Sequence, residues 1–266
     1  MLFRSENSNA VIIGEVWEDA TTKFAYGQRR RYLLGEQLDS VMNYPFANAV
    51  LDFVKYPNAH EFFDRVMTVV ENYPPQVTNV LMNHIGTHDT ERAISRLAGD
   101  SCEGYGRHWQ YEHNKLSEYE YLRGLSLMKI ASLIQYTLPG VPSLYYGDEI
   151  GMEGRKDPFN RACMNWEEPN NELLRWYKRL GEIRLGCKVL AKGEFVPLYS
   201  EHKTIAYLRT DENSELLVAV NLDDTDVDIF VGEHWDNSYC FFDESATDGY
   251  IHLEPMRYTL LTKVKE

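Results

Sequence analysis

Two textures alternate along the chain up to about residue 188, and this alternation restricts it to a few architectures. Short apolar runs at 11–16 (VIIGEV), 40–44 (SVMNY), 80–87 (VLMNHIGT) and 142–146 (PSLYY) read as strands covered on both faces, as parallel pairing requires. Segments with helical spacing lie between them. Asn58 followed by Glu61 forms an N-cap pair ahead of Phe62, Val66 and Val70 on one face, and Pro74 with Pro75 stops that run. Ser117 and Glu120 repeat the signal before a helix that is apolar nearly all round over 128–134, so it should be deeply packed. A last helix is expected over 172–185.

The texture changes at Leu190. Runs such as TIAYLRT, ELLVAVNL and RYTLLTKV are then separated by Asp, Asn and Gly clusters at hairpin intervals, which reads as an antiparallel β domain. The expected division is 1–189 for an α/β part and 190–266 for an all-β part. Four β-then-α units are half the count of an eight-stranded barrel of typically ~250 residues. An open four-stranded parallel sheet is the alternative that pattern alone allows.

Charge narrows the partners. The chain has 27 Lys and Arg against 41 Asp and Glu, a formal charge of −14, which opposes nonspecific attraction to nucleic acid or anionic membrane. A neutral polar substrate fits better, and an aromatic share of 13% can supply stacking rings for sugar faces. No run approaches the ~20 apolar residues of a membrane span, and MLFRSENSNA lacks the apolar core of a signal peptide. A cytoplasmic setting is therefore expected, with export left open because an earlier segment could carry a signal. Cys102, Cys163, Cys187 and Cys240 show neither CxxC pairing nor metal-ligand spacing, so reduced thiols are expected, a disulfide pair being the alternative.

Three of the apolar runs end in polar residues: Glu15, Asn43 with Tyr44, and His88 with Asp89. Sites form at the carboxyl ends of strands in parallel α/β proteins, so the two acids are expected to face one pocket. A carboxylic acid and a carboxylate flanking one bond are what glycosidic cleavage needs. Glu15, on an apolar strand beside Trp17, suits the desolvated setting of a general acid. Asp89 suits the ionised partner, with His88 and Arg92 as nearby cations. The competing readings are a loop or cap role for Glu15 and an N-cap role for the Thr87-His-Asp-Thr-Glu stretch.

Motifs add a resemblance. GEVW at 14–17, QLDSVMNYPF at 37–46, GTHDTER at 86–92 and GVPSLYYGDEIGMEGRKDPFNRACMNW at 140–166 together resemble the alpha-amylase family of glycoside hydrolases, in particular its neopullulanase, cyclomaltodextrinase and maltogenic amylase branch. The likeness runs from about residue 10 to 170, in the family's own order. It implies the carboxyl-terminal half of a (β/α)₈ TIM barrel, strands five to eight, followed by an antiparallel β-sandwich domain. It also implies a retaining hydrolase of α-glucan oligosaccharides: starch-derived chains, pullulan or cyclodextrins.

By that resemblance Glu15 is the general acid and base, Asp89 stabilises the transition state through sugar hydroxyls, and His88 hydrogen-bonds the same ring. Trp17 lines the leaving-group side with Tyr44 close by, while Asp157 and Arg161 touch sugars on the far side. The family's nucleophile is an Asp at the end of the fourth strand with an Arg two residues before it. This segment, and an earlier Asp-x-x-x-x-His stretch, would precede residue 1, and no substitute for either is found.

The chain alone is therefore expected to be inactive. Its open edges are expected to be covered by an amino-terminal half-barrel or by self-association. A non-catalytic carbohydrate-binding or interaction module on a half-barrel scaffold is the alternative. No cofactor is evident; calcium occurs in the family, but no acidic run here has the spacing of a calcium loop. Residues 97–116 carry no assignable role, and the acidic 222–228 reads as a solvated turn.

Overall fold

The computed structural model describes residues 2–35, 37–167 and 169–265. After a short helix α1 (Leu2–Glu6), strand β1 (Ile13–Gly14) leads into the small antiparallel hairpin of β2 (Phe24–Ala25) and β3 (Gln28–Arg29), and then into β4 (Ser40–Val41). Helices α2 (Tyr44–Lys55), α3 (Ala59–Asn72) and α4 (Pro75–Thr78) precede β5 (Met82–Asn83). Helices α5 (Ala93–Ala98), α6 (Arg107–Glu112) and α7 (Glu118–Thr137) precede β6 (Val141–Pro142), and α8 (Asn171–Gly186) with α9 (Val189–Lys192) closes this part.

The four strands form one parallel succession in chain order. Ile13 pairs with Ser40, Met42 bridges to Met82, and Met82 pairs with Val141. Each strand is shorter than its apolar run predicts. The 40–44 run ends early because the Asn43 side chain accepts a hydrogen bond from the Phe46 amide at 3.3 Å and Pro45 sits in the first turn, so Tyr44 starts a helix. The 142–146 run breaks after Pro142 because Tyr145 and Tyr146 turn aside to enclose Arg92, whose guanidinium lies 4.4 and 4.6 Å from their ring centres. At 11–16, Ile13 and Glu15 are exposed.

The helix ends follow the sequence closely. Asn58 caps α3 at 3.1 Å from the Glu61 amide, and Ser117 and Glu120 form a complete capping box on α7. In α7, Leu127, Met128, Ile130, Ala131, Leu133 and Ile134 are all buried. The 59–72 helix stops ahead of Pro74 and Pro75 as expected, and Pro75 then opens α4, a position where its missing N–H costs nothing.

Eight further strands follow: β7 (Glu194–Glu201), β8 (Thr204–Thr210), β9 (Ser214–Asn221), β10 (Val227–Phe230), β11 (Tyr239–Cys240), β12 (Ala246–Thr247), β13 (Tyr250–Leu253) and β14 (Tyr258–Val264). They form two antiparallel sheets, in the orders β11-β14-β9-β8-β7 and β10-β13-β12. The two-residue period of β8 and β9 assigns their faces. Ala206, Leu217 and Ala219 pack against Ile229, Ile251 and Leu253 of the smaller sheet. Ile205, Tyr207, Leu216, Val218 and Val220 join the helices in a second cluster that reaches Phe62, Val66 and Leu133.

Buried polar bonds fasten the two parts. Arg209 donates to the Thr137 and Gly193 carbonyls at 2.7 and 2.8 Å, and the Tyr207 and Thr137 hydroxyls lie 2.6 Å apart. Burial pushes the Arg209 guanidinium down to about 9. All four cysteines are free thiols. No helix of the described residues is long and apolar enough to cross a membrane.

Candidate active site

Three strand ends converge through aromatic rings. The exposed Glu15 carboxylate accepts a hydrogen bond from the Trp17 indole at 3.1 Å. Trp17 lies flat on Tyr44, centroids 4.0 Å apart and planes 15° apart. Tyr44 in turn meets His84 edge-on at 4.5 Å. Burial raises the Tyr44 phenol, a Thr87 hydrogen bond opposes this, and the carboxylates of Glu15 and Asp89 both add to it. Tyr44 thus feels both acids, one from each side of the β4 strand end.

Asp89 sits in an ionic chain. Its carboxylate is 3.2 Å from His88 Nε2 and 3.1 Å from Arg161 Nη2, and Arg161 Nε is 3.0 Å from Asp157. The same Arg161 Nε donates to the His88 carbonyl at 2.9 Å. His88, Asp89, Asp157 and Arg161 are therefore brought together, with Trp17 and Tyr44 beside Asp89 on the wall of one cavity of about 470 Å³.

Three expectations are corrected here. Glu15 is exposed rather than desolvated, because β1 has only β4 beside it among the described residues and its outer edge is open. Arg92 does not face Asp89: it is fully buried, 3.6 Å from buried Asp148 and enclosed by Tyr145 and Tyr146. Arg161 takes the place expected of it. The Thr87-to-Glu91 stretch is also not an N-cap, since α5 begins at Ala93 after Arg92, with no side-chain cap. The Thr87 and Thr90 hydroxyls tie the turn internally instead.

Sequence reasoning missed three residues. Asn160, fully buried, donates its amide to the carbonyls of Thr87, His88 and Thr90 at 3.4, 2.8 and 2.6 Å, so one side chain holds the turn that carries Asp89. No spacing announced that. His84 is buried among apolar groups, and burial drives its imidazole down to about 4. Its clue lay in the 80–87 run, where two-residue alternation puts it beyond Met82 at the same strand end. Asp148, inside the quoted YYGDEIG, is pushed up to about 7 by burial, against the pull of Arg92.

Residues 97–116, without a role in the sequence, stack Tyr105 on Trp109 and Trp109 on His113, each at 4.2 Å. Among the described residues no three His, Cys, Asp or Glu side chains converge as a metal ion would need.

A family model described as the alpha-amylase catalytic domain matches residues 2–182. The chain is 34% identical over 226 residues to a cyclomaltodextrinase of a Bacillus species, covering 83% of this chain and 35% of that enzyme. To neopullulanase 2 of Thermoactinomyces vulgaris it is 32% identical over 226 residues, covering 83% and 33%. A solved cyclomaltodextrinase superposes with a TM-score of 0.77 at 28% identity, over 98% of this chain and 41% of that one. The debranching enzyme of Nostoc punctiforme gives 0.78 at 24% identity, over 98% and 53%, a likeness of fold. The chain spans about a third of the length of these curated relatives.

Proposed function

The chain belongs to the alpha-amylase family and carries its fold, a TIM barrel with β-rich domains; from that premise we propose that it is the carboxyl-terminal part of a retaining α-glucan hydrolase. The substrates are α-glucosidic bonds of cyclodextrins, pullulan or starch-derived oligosaccharides. Residues 1–189 supply strands five to eight of the barrel, and 190–266 form a β-sandwich domain. Glu15 protonates the glycosidic oxygen and later activates water. Asp89 and His88 bind the ring that develops positive charge, Trp17 and Tyr44 flank the leaving group, and Asp157 with Arg161 contact sugar beyond.

The observation that carries this reading is Tyr44, buried at one strand end and acted on by Glu15 and Asp89 from its neighbours. A retaining mechanism needs a nucleophile about 5 to 5.5 Å from the acid, and no residue of this chain is assigned that task. The chain alone is accordingly inactive, and a half-barrel supplying the nucleophile covers the open edges of β1 and β6. Calcium stays outside this reading.

The experiment is complementation. The 266-residue chain is incubated with maltotriose, cyclodextrin and pullulan, alone and after joining to an amino-terminal half-barrel of a family member, and products are separated by chromatography. Products from the joined form only are expected. Steady turnover by the chain alone, or no turnover by the joined form while its barrel is folded, contradicts the reading. Saturable sugar binding with that second outcome would favour the non-catalytic binding module, the reading to which the exposed position of Glu15 lends support.

A further inference from the structure

The cavity beside Asp89 does not stop at the residues assigned above. It continues along α2, past Asn48 and Lys55 to Tyr56, with Lys156 on another wall, while Glu15, His88, Asp157 and Arg161 do not line it. Its volume of about 470 Å³ lies within the roughly 300–1,000 Å³ of small-ligand sites.

Most of the charges that line it are already engaged, with exposed Glu103 and Lys156 as the exceptions among the described residues. Asp52 meets Arg65 and Arg96, each at 2.9 Å, and Glu91 meets Arg155 at 3.3 Å. The Lys55 ammonium donates to the Arg96 and Gly99 carbonyls. A charged ligand would have to break these pairs, whereas a neutral one leaves them intact. Hydrogen-bonding capacity nevertheless remains. Lys55 has a third proton to give, and the buried His84 Nε2 in the same wall has no hydrogen-bond partner among the described residues. Exposed rings stand along it as well, Trp17 at 49% and Tyr56 at 67%. Flat apolar faces combined with unmet polar groups and internally paired charge suit a neutral polyhydroxyl chain.

We propose that this groove seats an arm of the α-glucan, reaching from the unit at Trp17 and Asp89 along α2 to Tyr56, and so selects longer chains over short ones. The proposal rests on the functional reading above and deepens it. The test is a titration of the 266-residue chain with maltose through maltohexaose, followed by Trp fluorescence, in parallel with Tyr56→Ala and Lys156→Ala. Both substitutions fall on exposed side chains that hold no element together, so the fold should survive them.

Affinity is expected to rise roughly tenfold along the series, and Tyr56→Ala is expected to remove the rise while leaving maltose binding unchanged. A series without a rise, or one whose rise survives both substitutions, overturns the groove while leaving the functional reading intact. Failure to bind any of the saccharides likewise overturns the groove, while the functional reading is decided by turnover of the joined form.

Discussion

Asp89 is held by residues some seventy positions away. Asn160 fixes the backbone around it and Arg161 pairs with its carboxylate. The GTHDTER motif made His88 and Asp89 legible, but not these partners, since a turn returning from 158–161 leaves no local spacing to read. Arg92 misled because it is near in sequence and cationic, whereas its guanidinium is drawn between two tyrosines. Replacing Asn160 by Ala strands three carbonyls and should cost about 1–3 kcal/mol in urea unfolding. Arg161→Ala, at a half-exposed ion pair, should cost under ~1 kcal/mol. Equal losses would contradict this ranking.

Asp148 supplies a pH prediction. Its carboxyl is raised from 3.8 to about 7 in the fold, so the folded chain binds the proton more tightly than the unfolded one. Its contribution to stability is full below about 4, declines as pH rises, and is lost above about 7. Asp148→Asn should flatten that decline in denaturation measured from pH 4 to 8. An unchanged slope would show that Asp148 does not titrate there.

Helix ends were the most legible elements, because a cap depends on residues a few positions apart. Asn58 and Ser117 act as their sequence says, and Ser117→Ala should cost about 1 kcal/mol, seen as a Tm lowered by roughly 2–4 °C. Strands were overextended because an apolar run records burial, not how many residues find a parallel partner. Met82–Asn83 is paired on both sides, yet the run around it goes on into the turn of Gly86 and Thr87. Gly86 belongs to that turn: a Cβ there would collide with the Asp148 carboxylate. Gly86→Ala should therefore shift the Asp89 turn and destabilise the fold, and an alanine variant as stable as the parent would contradict that packing.

At the scale of the whole molecule, the change of texture near residue 189 is visible in the sequence, but the joint is not. Five-stranded-sheet residues share one apolar cluster with α3 and α7, and Arg209 with Tyr207 reaches across to Thr137. Unfolding is expected as one calorimetric transition with matching van't Hoff enthalpy, and two resolved transitions would show separate units. The family motifs could be read because they lie in chain order, whereas the exposure of Glu15 depends on what flanks β1 and cannot be read from its own run.

The central claim is that Glu15 delivers the proton to the leaving oxygen, and leaving-group chemistry tests it most directly. In the barrel completed by an amino-terminal half, hydrolysis of maltotriose is compared with that of α-maltosyl fluoride, whose fluoride departs without a proton. In a single turnover, Glu15→Gln should slow maltotriose cleavage by about 10²–10⁴-fold while leaving the first release of fluoride nearly unchanged, the later water-activating step being slowed for both substrates. Equal loss on both substrates, or none on maltotriose, would contradict the assignment.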